Sequence, residues 1–166
     1  MTPSAQGSPI AGRLGLADRV FAGPRSRRLL AKVEAGLERV DRNLEAELTT
    51  ADTLTNATSR YLFDAGGKRV RPMLALLTAH LGEGTTDDVI DAATALELTH
   101  LGSLYHDDVM DEADRRRGVP SAHSVWGNSV AILTGDLLFS RASQLMAKLG
   151  ERAIKLQADT FERLVL

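Results

Sequence analysis

Residues 106–118 read HDDVMDEADRRRG, and the chain on either side is read from this stretch. Asp107 and Asp111 stand one helical turn apart, so on a helix they share a face, with Asp108 beside them. Arg115, Arg116 and Arg117 follow at once. Clustered carboxylates with no cysteine nearby suit a hard cation such as Mg²⁺, which takes few protein oxygens and leaves positions for phosphate oxygens. Guanidinium groups are planar, permanently charged forks for the same phosphates. Acid and base together predict a diphosphate held through metal and arginine. The alternative is a solvated helix end, and the flanking sequence has to decide.

Towards the N-terminus, residues 87–111 carry no proline and only one weak helix former, Gly102. A long helix is predicted there, capped by Thr85 or Thr86, with Asp87 and Asp88 favourably placed in its first turn. Val89, Ala92, Ala93, Leu96, Leu101 and Leu104 are its expected core side. Its acidic C-terminal end opposes the helix macrodipole, a cost that a cation would offset. A rule broken locally marks a place to look for function.

Further upstream, residues 66–72 read GGKRVRP. The glycines end a helix expected over residues 51–65, with Leu54, Ala57, Tyr61 and Leu62 as its stripe. Lys68 and Arg71 are three apart and able to converge on one anion. Residues 73–81 are nearly all apolar, which predicts a short helix buried on all sides. A first helix is expected from Pro24, through Leu29, Leu30, Val33, Leu37, Val40, Leu44 and Leu48. Residues 1–23 are rich in Gly, Pro, Ser and Ala and read as a mobile tail, with Leu14, Leu16, Val20 and Phe21 as a short docking segment.

Downstream, a loop is expected over residues 112–127. A helix over 128–149 follows, through Val130, Leu133, Leu137, Leu138, Ala142, Leu145 and Met146, and then one over 151–166. Strand-period alternation and internal repeats are not seen, so the chain reads as all-α. Its 166 residues suffice for one domain. A net charge of -2 gives no general pull towards nucleic acid or an acidic membrane. The lack of cysteine excludes disulfides and thiolate metal sites. With no apolar run of membrane-spanning length and no secretory h-region, a cytoplasmic location is expected.

The ordered motifs resemble the trans-isoprenyl (polyprenyl) diphosphate synthase family. They are Gly66-Gly67-Lys68-x-x-Arg71-Pro72, Glu97-x-x-His100, Asp107-Asp108-x-x-Asp111, Arg116-Arg117-Gly118, Trp126-Gly127-Asn128 and Gly135-Asp136. Each is weak alone; as an ordered set over about residues 60–140 they are specific. The resemblance implies an all-α helical bundle of the isoprenoid synthase type. It implies that Asp107 and Asp111 are Mg²⁺ ligands, with Asp108 supporting, and that Arg116 grips an allylic diphosphate such as farnesyl diphosphate. Lys68, Arg71, His100 and Arg117 resemble the pocket for isopentenyl diphosphate. His100 lies seven residues before Asp107, on the same face and about 10 Å away along the helix axis.

The implied reaction ionises the allylic diphosphate, joins the allylic cation to the double bond of isopentenyl diphosphate, and loses a proton to restore an alkene. In this family, residues four and five before the first aspartate face the product tunnel. Here they are the small Ser103 and Gly102, which favours geranylgeranyl or longer products. Arg115 receives no role, His106 reads as a packing or supporting residue, and His80 and His123 read as structural. Zinc through the histidines is the alternative metal, disfavoured because oxygen ligands dominate.

Family members are about twice as long and carry a second aspartate-rich motif. After Asp136 the acids here are Glu151, Asp159 and Glu162, unclustered. Residues 24–166 therefore look like the N-terminal half of such a domain, a truncated product or a chain that pairs with another, with a homodimer expected. Two alternatives stay open: a non-catalytic diphosphate-binding or regulatory partner subunit, and a terpene cyclase. The cyclase leaves residues 66–72, His100 and Arg117 unexplained.

Overall fold

The computed structural model describes residues 23–166. The expected mobile tail and its docking residues lie outside them, Gly23 apart. Helix α1 (Pro24–Leu48) opens with proline in its first turn, where a missing N–H costs nothing. Its buried face is Leu30, Val33, Leu37, Val40, Leu44 and Leu48, the predicted spacing of three and four. Helix α2 (Thr53–Asp64) is capped by Asp52, whose carboxylate accepts from the Thr55 N–H at 2.7 Å. Helix α3 (Val70–Ala79) follows a turn through Gly66, Gly67 and Arg69, all with positive φ. Helix α4 (Asp87–Met110) is capped by the Thr86 hydroxyl, with Asp87 and Asp88 in its first turn.

A two-residue antiparallel ladder, β1 (Arg115–Arg116) with β2 (Val119–Pro120), interrupts the expected loop. Its turn residues Arg117 and Gly118 both have positive φ, the geometry that matches strand twist in a tight hairpin. Strands of two residues are too short to show alternation, which is why the sequence pattern did not reveal them. A short helix α5 (Ala122–Trp126) occupies the rest of that segment, followed by α6 (Asn128–Lys148) and α7 (Glu151–Val165).

Helix α4 is the centre, packed by α1, α3 and α6. Its buried residues point in several directions, from Ile90 through Ala95, Leu98 and Leu101 to Tyr105, and a helix wrapped by neighbours has no single stripe. Leu96, expected in the core, is instead exposed. Tyr105 is fully buried; its phenol donates to the Thr58 carbonyl and accepts from the Leu62 N–H at 3.3 Å, tying α4 to α2. Helices α4 and α6 cross at Gly102 and Gly135. A Cβ on Gly102 would stand 3.1 Å from the Gly135 carbonyl oxygen, and one on Gly135 would stand 2.4 Å from the His106 ring.

Two other core expectations are corrected. Helix α3 is not buried all round: Leu74 faces solvent and Leu81 lies beyond its end, because α3 rests on α1 and α4 by one side only. Leu133 on α6 is 66 % exposed. No residue of α7 is buried, although its apolar residues Ile154, Phe161 and Val165 recur at helical spacing. Among the described residues, no helix is long and apolar enough to cross a membrane.

Candidate functional site

The end of α4 sorts its three aspartates by angle. Asp107 is half-buried and Asp111 exposed, one turn apart, and the Asp111 N–H donates to the Asp107 carbonyl at 2.8 Å. Asp108 is one residue round the helix and turns inward, with its side chain 0 % exposed. The hairpin delivers Arg116 to it: Nε and Nη2 both stand 2.6 Å from Asp108 Oδ1. Asp108 Oδ2 is buried with no hydrogen-bond partner. The expectation that Asp108 lies beside Asp107 and Asp111 therefore gives way to an internal ion pair. Among the described residues, no group of three or more His, Asp or Glu side chains gathers as a cation cage. Asp107 and Asp111 remain as an all-oxygen pair, the donor chemistry a hard cation takes when phosphate oxygens complete its shell.

Two turns earlier on the same helix, a cavity of about 100 Å³ is lined by Lys68, Arg69, Arg71, Glu97, His100 and Arg117. The four residues expected to form one diphosphate pocket thus share one cavity, drawn from the 66–69 turn, the first turn of α3, α4 and the hairpin. Arg117 is braced by backbone: its Nη1 donates to the Leu62 carbonyl at 2.6 Å and to the Gly66 carbonyl. Burial pushes its pKa down from the usual guanidinium value. His100 is pushed down to about 4, first by burial and then by Arg71, Arg117, Arg116 and Arg69. It is a neutral imidazole at pH 7, able to donate one N–H to a phosphate oxygen.

Arg69 and Glu97 line the cavity too, although the motifs gave neither a role, Glu97 entering only as part of Glu97-x-x-His100. Glu97 is 2 % exposed, and its carboxyl pKa is raised by burial against the opposing pull of Arg69, Arg117 and Arg71. Arg69 is almost as buried. Its Nε donates to Asp41 at 2.8 Å, its Nη1 to Glu97 at 3.4 Å, and its guanidinium lies 4.7 Å above the Phe63 ring centroid. The spacing of Glu97 from His100, three residues on one helix face, was the available signal. Nothing in the sequence marked Arg69 off from its basic neighbours.

The two residues expected to set product length, and His106 beside them, sit as follows. Gly102 faces α6, where the Phe139 ring and the Gly135 carbonyl fill the space a side chain would take. The Ser103 hydroxyl donates to the His100 carbonyl at 2.9 Å. His106 reaches the Ile132 carbonyl at 3.1 Å and Asp136 at 3.3 Å, a strut between α4 and α6.

Residues 52–166 match the family model described as polyprenyl synthetase. The chain belongs to that family. It is 46 % identical over 157 residues to the nonaprenyl diphosphate synthase of Mycobacterium tuberculosis, a match covering 94 % of this chain and 44 % of the relative. The geranylgeranyl pyrophosphate synthase of Corynebacterium glutamicum, solved with calcium and isoprenyl diphosphate, is 44 % identical with a TM-score of 0.73, over 87 % of this chain and 43 % of that one. A Caulobacter crescentus polyprenyl synthase, also solved with calcium and isoprenyl diphosphate, superposes with a TM-score of 0.75 at 34 % identity, over 80 % of this chain and 41 % of that one. This polyprenyl synthetase chain therefore spans less than half the length of these relatives, and its fold is the isoprenoid synthase helical fold.

Proposed function

We propose that the chain carries the isopentenyl diphosphate pocket and one metal-binding wall of a polyprenyl diphosphate synthase. The observation behind this reading is the separation of two charged clusters along α4. A cationic cavity surrounds His100, and a carboxylate pair, half-buried Asp107 and exposed Asp111, stands about two turns further on. Lys68, Arg71 and His100 hold the diphosphate of isopentenyl diphosphate. Arg116 commits Nε and Nη2 to Asp108 and directs its remaining N–H groups to the allylic diphosphate. Asp107 and Asp111 would hold Mg²⁺, which when bound supplies positive charge against the departing diphosphate.

In the reaction, the allylic C–O bond breaks and diphosphate departs. The isopentenyl double bond forms the new C–C bond, and a proton is lost. Geranylgeranyl or longer products are part of this reading, supported by the small Gly102 and Ser103 and by relatives named nonaprenyl, heptaprenyl and geranylgeranyl diphosphate synthases. A cytoplasmic homodimer is the proposed setting, supported by the exposed apolar residues of α6 and α7.

The test is incorporation of labelled isopentenyl diphosphate with farnesyl diphosphate and Mg²⁺, run beside an Asp107→Ala chain. Loss of roughly 10²-fold or more in the variant is expected, the scale seen when one charge-stabilising group is removed. Equal turnover in both would remove Asp107 from the chemistry. A folded chain that binds isopentenyl diphosphate without turning it over is the result the partner-subunit reading requires.

A further inference from the structure

The cavity around His100 poses an electrostatic problem that the proposed ligand does not solve. Lys68, Arg69, Arg71 and Arg117 line it together, and a buried carboxylate, Glu97, lines it too. A negative charge beside an anion site weakens the anion unless the carboxylate serves something else. The hydrogen bonds show what it serves. Arg69 spends Nε on Asp41 and Nη1 on Glu97, lies against Phe63, and keeps only 6 % of its side chain exposed. Two of its donors are thus committed to protein carboxylates on α1 and α4. Its backbone is left-handed, φ 50, at the first residue before α3, a conformation a bulky side chain holds only when its surroundings enforce it.

Gly67 completes the arrangement. A Cβ there would stand 2.8 Å from Arg69 Nη1 and 3.0 Å from Arg117 Cζ, so both guanidinium groups occupy the space a side chain at this position would take. Arg117 in turn holds the Leu62 and Gly66 carbonyls. Lys68 and Arg71, both exposed, stand on either side of the anchored residue.

We infer that Arg69, clamped by Glu97 and Asp41, is a positioning residue: it pins residues 66–71 across α1 and α4 so that Lys68 and Arg71 face His100. This deepens the diphosphate-pocket reading and rests on it for the identity of the ligand. Arg69 and Arg71, two of the three guanidiniums lining the cavity, thus divide the work, Arg69 as anchor and Arg71 as grip.

The sign of one substitution tests this. Titration of inorganic pyrophosphate into the chain is expected to show Glu97→Gln binding about 10-fold more weakly, the effect of one lost charge-assisted bond. Removal of a negative charge by itself would tighten binding or leave it unchanged, and either result overturns the inference. Arg69→Ala should lose a similar factor, and the double variant no more than Arg69→Ala alone; additive losses would mean that the two act separately. Asp41→Asn, on the more exposed partner, gives the same reading should Glu97→Gln fold poorly. A second readout needs no ligand. The Met73 N–H donates to the Arg69 carbonyl at 3.0 Å, and its hydrogen exchange should accelerate in Arg69→Ala and Glu97→Gln. If wild type does not bind pyrophosphate, the pocket reading fails while this exchange still decides the anchor; unchanged exchange overturns it.

Discussion

At the scale of single residues, burial decides what each charged group does. Arg116 is expected to serve a ligand, yet it also carries the charge balance of fully buried Asp108. Breaking such a pair by removing one partner leaves an uncompensated buried charge, so Arg116→Ala should destabilise the fold by about 3–5 kcal/mol. Denaturant unfolding of the variant would check this, and a change under about 1 kcal/mol would contradict it. His100 gives a pH signature. Its folded pKa, about 4, lies below the ordinary 6.5, so the unfolded chain binds more protons between these values. The contribution of His100 to stability is fully present above pH 6.5 and is lost as pH falls towards 4. Unfolding midpoints across that window, compared with His100→Gln, should show the wild type falling more steeply.

Spacing alone nominated Lys68 and Arg71, three apart and able to converge on one anion, while His100 and Arg117 were nominated only by the resemblance of the ordered motifs. Neither spacing nor motif could nominate Arg69 or reassign Asp108. Both depend on which way a side chain points once α1, α2 and the hairpin have packed, and neighbouring letters do not encode that.

At the scale of elements, helices α1, α2, α4 and α6 were legible because their periodicity, caps and glycine stops agree. The exceptions have physical causes. Helix α4 is surrounded, so apolar periodicity misjudged which of its sides lie inward, Leu96 among them. The β1–β2 hairpin rests on positive φ at Arg117 and Gly118, and an arginine in that conformation is not a standard turn signal. The α4–α6 crossing depends on two glycines that backbone approach requires. Gly135→Ala would drive a methyl into the His106 ring, so it should cost about 1–3 kcal/mol by overpacking. Thermal unfolding of the variant beside His106→Ala/Gly135→Ala reads this directly, since shortening His106 should recover part of the loss.

At the scale of the whole molecule, charge and apolar surface are segregated. The cationic cavity and the carboxylate pair lie along α4, while Leu133 on α6 and Leu156 and Leu164 on α7 are exposed. A groove of about 320 Å³ between α2 and α6, lined by Leu54, Val130, Leu133 and Leu137, adds to this surface. Exposed apolar groups on this scale favour association. Sedimentation at micromolar concentration is expected to show a dimer, and Leu156→Glu with Leu164→Glu should shift it to monomer. A wild-type monomer under the same conditions would refute the homodimer.

The claim that joins these scales is that the cavity around His100 holds a diphosphate. Calorimetric titration of isopentenyl diphosphate into the chain and into Arg71→Ala measures it most directly. A single site in the wild type, weakened about 10-fold or more in the variant, is the outcome the structure leads to. Equal affinity in the two chains, or no binding by a folded wild type, would contradict it.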